Sequence, residues 1–453
     1  MKIIQDETIA AISTASAAAG IGVIRISGEH AFDVADKIFR GKKKIIDVKN
    51  RSILHGHIVD DQEKIIDEVL ILAMRAPNSY TREDVVEIQS HGGTMVLRSI
   101  LQRVLNSGAR SAQRGEFTKR AFLNGRIDLS QAQAVMDIVQ AKTEQSLKFA
   151  EENLAGRMSR KIRDIQADIL ELLANLEALI DFPEEDVDAM ELDEIREKIF
   201  ELEKIIDDVL KTARVGKIFR DGIKVALIGK PNVGKSSLLN LLLKEDRAIV
   251  TNIPGTTRDS IEEIVNLDGI PLIIIDTAGI RTPSDEVEKL GIERSKKSIE
   301  QAELIIAIFD GSKDLSDDDQ KILELIENRN RILIVNKKDL PQKFTLDDSI
   351  QMSIKFGDGE DVLKSRLEEK IFGDSTRDLH TDSGFLRDAR EENILQRTKV
   401  ELKSAVETID AGLDADFVSI NLRSAWEILN EFTGENVSEK VIDLIFEKFC
   451  VGK

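Results

Sequence analysis

Gly229-Lys230-Pro231-Asn232-Val233-Gly234-Lys235-Ser236 is the stretch on which the reading of this chain turns. It fits GxxxxGK[ST] at every fixed position. It follows the apolar run Ile223–Ile228 and precedes Ser237-Leu238-Leu239-Asn240-Leu241, which suits a helix. A strand, a glycine-rich loop and a helix give the string its physical meaning. Glycines free backbone N–H groups to wrap phosphate oxygens, and the helix N-terminus adds a favourable dipole. Lys235 is expected to neutralise the outer phosphates and the Ser236 hydroxyl to ligate Mg²⁺, with Asn232, Val233, Gly234 and Ser237 completing the cradle.

Working outward, apolar runs at Ile270–Ile275, Leu304–Phe309, Ile332–Val335 and Ile350–Ser353 alternate with helical segments. Such runs predict a mostly parallel sheet covered on both faces. Asp276-Thr277-Ala278-Gly279 ends one strand; Asp276 is expected to reach Mg²⁺ through water and the Gly279 N–H to sense the outermost phosphate. Asn336-Lys337-Lys338-Asp339 ends another. A carboxylate at Asp339 can accept from the ring N–H and exocyclic amine of guanine, a pair that adenine lacks, so the string selects GTP. Ser353-Ile354-Lys355 falls where a second base-contacting loop is expected. In this order the motifs resemble the Ras-like G domain. One departure matters: the water-orienting Gln usual after the DTAG string is replaced by Ile280, which cannot polarise water. The loop Thr251-Asn252-Ile253-Pro254-Gly255-Thr256-Thr257 places Thr257 to complete the Mg²⁺ shell. With Asn232, that loop resembles the one in potassium-dependent GTPases. The resemblance implies that the Asn232 side chain and oxygens of Thr251, Ile253 and Thr256 hold K⁺, which can act as an arginine finger does.

The rest of the 453 residues is of different character. At roughly 100–200 residues per domain, two to four domains are expected. The formal net charge is −19, against wholesale coating of nucleic acid or anionic membrane. Residues 1–120, however, hold 18 basic and 15 acidic side chains, a net of +3. Gly22–Ile26 and Val85–Ile88 read as strands and Val96–Leu105 as a helix, an α+β pattern. Ile165, Ile169, Leu172, Leu173, Leu176 and Ile180 form one helical stripe, Ile195, Ile199, Leu202, Ile206 and Val209 a second, and Leu395, Leu402, Val406 and Ile409 a third. The expected organisation is an α+β domain at 1–118, a helical part at 119–216, an inserted Ras-like α/β G domain at 217–378, and a second helical part at 379–453. A single cysteine, Cys450, excludes a disulfide framework and a Cys-clustered zinc site. No stretch reaches the roughly 18 uninterrupted apolar residues of a membrane span, and no secretory leader is read at the N-terminus. A cytoplasmic protein is expected.

Gly22-Val23-Ile24-Arg25-Ile26-Ser27, Arg114-Gly115-Glu116-Phe117, Arg120-Ala121-Phe122-Leu123-Asn124, Ile180-Asp181-Phe182-Pro183, Asp285-Glu286-Val287-Glu288 and Phe449-Cys450-Val451-Gly452-Lys453 together resemble the MnmE/TrmE family of tRNA uridine-modifying GTPases over the full length. The resemblance implies a homodimer that works with tRNA and an FAD-dependent partner, MnmG. Together they place a carboxymethylaminomethyl or aminomethyl group at C5 of the wobble uridine. It further implies a one-carbon tetrahydrofolate (5-formyl or 5,10-methylene form) in the N-terminal domain, contacted at Arg25, Glu87, Arg126 and Lys453. Arg126 stands where the family often has lysine. Glu288 matches the acidic residue that positions the attacking water. Cys450 is placed beside the folate.

The residues leave alternatives open. Arg25 interrupts an apolar strand, so either an internal salt bridge or a ligand must satisfy it. Glu87 can form a fork to a pterin. Lys453 is either frayed or docked, and Cys450 either a buried inert thiol or a reactive group assisting modification. A ribosome-assembly GTPase is the alternative function. It calls for a basic RNA-binding appendage with a GxxG loop, but residues 381–453 carry a net −6 and no GxxG.

Overall fold

The computed structural model describes residues 7–15, 17–181, 190–245, 263–275, 298–373 and 384–453. The chain divides into two compact units, Met1–Met136 with Glu427–Lys453, and Asp137–Trp426. The stretch 427–453, assigned from sequence to the second helical part, thus clusters with the N-terminal unit.

The first unit is built on a seven-stranded sheet in the order β3-β4-β5-β6-β2-β1-β7. The strands are β1 (Ile9–Ile12), β2 (Ile21–Ser27), β3 (Phe39–Gly41), β4 (Ser52–Val59), β5 (Ile65–Met74), β6 (Val85–His91) and β7 (Arg110–Ser111). Alternation decides its faces. In β2, Ile24 and Ile26 are fully buried while Val23 and Arg25 point the other way. Helices α1 (Ala31–Ile38) and α2 (Thr94–Asn106) cover the apolar face, closing a core around Ile24, Ile26, Ile38, Ile71, Ile88 and Ile100. A second core gathers Ala121 of α3 (Glu116–Leu123), Leu129 and Met136 of α4 (Leu129–Gln140), and Ile442 and Phe446 of α13 (Glu439–Phe446). Glu116, only 8% exposed, is neutralised from two sides, by Arg110 Nη2 at 2.6 Å and Arg120 Nη2 at 3.0 Å. Burial pushes its carboxyl up, but those partners and the Gln113 N–H outweigh it, so the group ionises below its ordinary range.

The second unit holds a six-stranded sheet in the order β13-β12-β11-β8-β10-β9. Its strands are β8 (Ile223–Ile228), β9 (Glu263–Leu267), β10 (Ile270–Ile275), β11 (Leu304–Asp310), β12 (Arg331–Asn336) and β13 (Ser349–Gln351). All pairings are parallel except β9 with β10. Every residue of β10 and β11 is buried, as a sheet covered on both faces requires. The apolar stripes become long helices, α6 (Arg157–Asp181), α7 (Leu192–Asp221) and α11 (Ala389–Asp410), which bury Ile165, Ile169, Leu172, Ile195, Ile199, Leu202 and Leu402. Phe149 of α5 (Glu144–Leu154) joins the core that holds the strand residues Val225 and Leu272, its ring 4.6 Å from Phe219 of α7 and 4.1 Å from Phe385. The Ser146 hydroxyl donates to Phe219 O at 2.6 Å. No helix among the described residues is long and apolar enough to cross a membrane.

Candidate phosphate site and candidate polar cluster

The loop between β8 and α8 (Lys235–Glu245) has the geometry that its glycines predict. Gly229 has φ +148° and Gly234 φ +117°, and a Cβ at either would overlap a neighbour, the Ile308 carbonyl oxygen or the Asn336 amide. Asn232 also adopts a left-handed φ of +64°, which asparagine tolerates better than most residues. Val233 is buried under the loop, while Asn232, Ser236 and Ser237 are exposed at its rim. Lys235 Nζ donates to Gly229 O at 2.5 Å and Lys230 O at 2.8 Å, curling the side chain across the loop. Burial holds this ammonium below its ordinary value of 10.5. A desolvated cation bonded to carbonyl oxygens at a helix N-terminus, in a cradle a Cβ would fill, fits a phosphate chain.

Side chains beyond the motif brace this loop. Lys230 Nζ reaches Ser316 Oγ at 2.7 Å and Asp319 Oδ2 at 2.6 Å, at the N-terminus of α9 (Asp317–Leu325). Asn336, 5% exposed, works as a strut: its Nδ2 donates to Val233 O at 2.7 Å and its Oδ1 accepts from the Ile354 N–H at 3.0 Å. One amide thus ties the phosphate loop to the loop after β13. Lys337, at φ +67°, donates to Asp310 Oδ2 at 2.6 Å. Burial pushes the Asp310 carboxyl up, yet the bonds from Lys337 and Ser312 prevail and keep it below the usual carboxylate range. The Lys338 N–H bonds Met352 O at 3.1 Å and its ammonium meets Asp358 at 2.9 Å. The Asp339 carboxylate is exposed, with Oδ1 accepting from Ser353 Oγ at 2.6 Å. Asn232–Ser237 and Asn336–Asp339 therefore come together through Asn336.

Sequence reasoning missed Lys230, Asp310, Ser316 and Asp319 as supports. The signal for Asp310 was its place at the end of β11, one strand from the loop. Thr251, Asn252, Ile253, Pro254, Gly255, Thr256, Thr257, Asp276, Thr277, Ala278, Gly279 and Glu288 lie outside the described residues.

In the first unit, register places Arg25 of β2 directly opposite Glu87 of β6. Arg25 Nε donates to Glu87 Oε1 at 2.8 Å, with 19% and 16% of the two side chains exposed. The salt-bridge alternative for Arg25 is thus realised, and the two residues face each other. The Arg25 guanidinium lies 5.2 Å from the Tyr80 ring centre and 5.5 Å from that of Phe117. Arg126 stacks on the same Tyr80 ring at 4.6 Å and donates to Tyr80 O at 3.2 Å. The Tyr80 hydroxyl is fixed by Thr118 Oγ1 at 2.9 Å. Tyr80, Phe117 and Thr118 were not read from sequence as site residues; the signal was that Tyr80 is the only tyrosine.

Lys453 is docked rather than frayed. Val451 bridges to Arg114, the Gly115 N–H donates to Cys450 O at 3.3 Å, and Gly452, at φ +96°, leaves no room for a Cβ against the Ile12 carbonyl. Burial pushes the Lys453 ammonium down, Cys450 opposes this, and the charge of Arg25 adds to the depression. The Cys450 residue is exposed, contrary to the buried-thiol alternative. Phe449, which precedes it, is 4% exposed and packs on Phe446 at 4.9 Å. Among the described residues the Ser13 hydroxyl oxygen is buried without a hydrogen-bond partner, and its Cα lies under Gly452. Cations, a half-buried carboxylate, an aromatic face and an orphaned hydroxyl suit a flat, polar, anionic ligand.

The comparisons with known proteins agree over the whole chain. The model described as the MnmE helical domain matches residues 129–450, and that of the GTP-binding protein TrmE N-terminus matches 8–126. The tRNA modification GTPase MnmE of Alkaliphilus oremlandii is 47% identical, and that of Streptococcus mutans 46%, each covering 99% of both chains. Among solved structures, Era in complex with MgGDPNP and a 16S ribosomal RNA segment is 28% identical, covering 33% of this chain and 56% of that one, at a TM-score of 0.26. The G domain of T. maritima FeoB is 26% identical, covering 33% and 98%, at a TM-score of 0.25.

Proposed function

Since the chain belongs to the MnmE family of tRNA modification GTPases, we propose that it hydrolyses GTP at the β8–α8 loop and couples hydrolysis to modification of C5 of the wobble uridine in certain tRNAs. The observation that carries this is the half-buried Lys235, bonded to two loop carbonyls inside a glycine cradle that Asn336 ties to the guanine-selecting Asp339.

In this reading the Lys235 ammonium exchanges its two carbonyl partners for phosphate oxygens. The loop's N–H groups and the α8 dipole hold the remaining charge. Asp339, oriented by Ser353, accepts from the guanine edge. Ser236 and Thr257 hold Mg²⁺. Asn232, Thr251, Ile253 and Thr256 hold K⁺, which replaces the charge that an arginine would supply. Glu288 positions water, in place of the glutamine that Ile280 displaces.

The Arg25–Glu87–Tyr80–Arg126–Lys453 cluster takes a one-carbon tetrahydrofolate. The folate supplies the carbon destined for the uridine. Tyr80 offers a face to a planar ring, Glu87 can turn its second oxygen to ring N–H donors, and Arg126 and Lys453 suit the anionic tail. Cys450, exposed beside Lys453, assists the modification and not GTP hydrolysis. The chain acts as a homodimer with the flavin-dependent MnmG partner. The test is mass spectrometry of tRNA nucleosides from cells lacking this chain. Loss of the C5-modified wobble uridine, restored by the wild-type gene but not by Lys235→Ala, is the expected result; an unchanged nucleoside profile removes the proposal.

A further inference from the structure

In an acidic chain, one short segment runs strongly the other way. Residues 40–51, Arg40-Gly41-Lys42-Lys43-Lys44-Ile45-Ile46-Asp47-Val48-Lys49-Asn50-Arg51, hold six cations and one carboxylate. They join β3 to β4 at the edge of the first unit's sheet. Arg40 is paired with Glu63. Lys42, Lys43, Lys44, Lys49 and Arg51 are exposed, and among the described residues none of the five forms an ion pair. Like charges at this density repel one another, a cost that an anionic ligand would relieve.

The cations ride on a fixed frame. Ile45 is fully buried in the core of the unit, and its N–H donates to Asp36 Oδ1 at 2.6 Å. Val48 packs on the same core and its N–H returns to Ile45 O. Arg75 clamps the loop from the side: its Nη2 donates to Ile46 O at 2.8 Å, its N–H to Asn50 Oδ1 at 2.9 Å, and its guanidinium stacks 4.1 Å from the Phe32 ring centre. The Arg51 N–H joins Ala73 O at 2.9 Å. Binding through such a loop forfeits little ordering entropy.

We propose that the loop 42–51 is a contact surface for the phosphate backbone of the tRNA substrate. This rests on the functional reading above. Five unpaired cations along ten residues suit a chain of phosphates. The loop carries no aromatic side chain on which a base could stack, so it grips the backbone and does not read sequence. It also resolves how a chain of net charge −19 engages RNA: the contact is local.

The experiment measures binding of an unmodified tRNA transcript to the full-length chain by filter retention across a salt series. Wild type is compared with the Lys42→Ala/Lys43→Ala/Lys44→Ala/Lys49→Ala variant, in which Ile45 and Arg75 are kept. The variant is expected to lose roughly tenfold or more in affinity at ~0.1 M salt, and its slope against log salt to become shallower by about 3, at ~0.7–0.9 per phosphate contact. GTP turnover stays unchanged, and the same four positions changed to arginine retain binding. Equal affinity and equal slope in wild type and alanine variant overturn the proposal, leaving the lysines as a solvated face or a protein contact. The nucleoside analysis separates the two readings. If wobble uridine modification is lost without the chain but the loop variant binds as wild type does, the loop proposal alone falls. If modification persists without the chain, the functional reading falls with it.

Discussion

The phosphate loop and the Arg25 cluster each hold a desolvated lysine beside other polar groups, but they are assembled in opposite ways. The phosphate loop is nearly contiguous. Gly229, Gly234 and Lys235 stand within seven residues, and the proposed phosphate contacts come largely from the backbone. The other cluster draws Arg25, Tyr80, Glu87, Arg126 and Lys453 from five separate stretches and relies on strand register, one aromatic ring and a docked tail. A contiguous site is fragile to local geometry. A dispersed one is fragile to packing far from the ligand.

The largest expected effect tests the contiguous site. Lys235→Ala removes the cation that the cradle encloses and is expected to weaken nucleotide binding on the order of 100-fold, about 3 kcal/mol. Calorimetric titration with GTP and GDP reads this directly. Retained affinity would place the phosphates elsewhere. A middle-sized effect is expected in the dispersed site without touching any proposed ligand contact. Gly452→Val puts a β-branched side chain at φ +96° against the Ile12 carbonyl, which should cost ~1–3 kcal/mol in tail docking. Hydrogen exchange at the amides of 446–453 should then accelerate by roughly 5- to 100-fold, with GTP affinity untouched. Unchanged exchange would mean that the tail is held by Phe446 and Phe449 alone. The smallest effect separates phosphate grip from base choice. Ser353→Ala deletes the donor to Asp339 and is expected to reduce GTP affinity only several-fold, ~1 kcal/mol. It should also narrow the preference for GTP over ATP in competition binding, whereas Lys235→Ala should leave that preference alone. Equal losses for both nucleotides in the Ser353 variant would remove Asp339 from base recognition.

Much of the second unit's sheet was legible because fully buried parallel strands write themselves as apolar runs. Ile223–Ile228 and Ile270–Ile275 keep the bounds read from sequence, and the runs at 304 and 332 shift by a residue at their ends. The antiparallel β9 was missed, since Glu263-Ile264-Val265-Asn266-Leu267 alternates and is short. Asn336 was read as part of a nucleotide signature, while its amide is spent on Val233 and Ile354. The motif names a position, and only the strand end on which it sits determines where that amide points. Arg25 and Glu87 were each legible as charges in apolar strands. Their mutual pairing was not, because register between strands 62 residues apart is a tertiary property. Tyr80 lies outside any strand or helix, so no periodicity marked it.

The composition of the first unit sets an order in time. Its second core is closed by Ile442, Phe446 and Phe449, yet the 290 residues of Asp137–Trp426 are synthesised between Met136 and these side chains. At about 5–20 residues per second, the ribosome needs roughly 15–60 s to reach them. Throughout that interval the nascent N-terminal unit has Ala121, Ile127 and Leu129 but not the phenylalanines that cover them, while the whole nucleotide-binding unit has emerged and can fold. The second core of the first segment to be made is therefore the last to be completed.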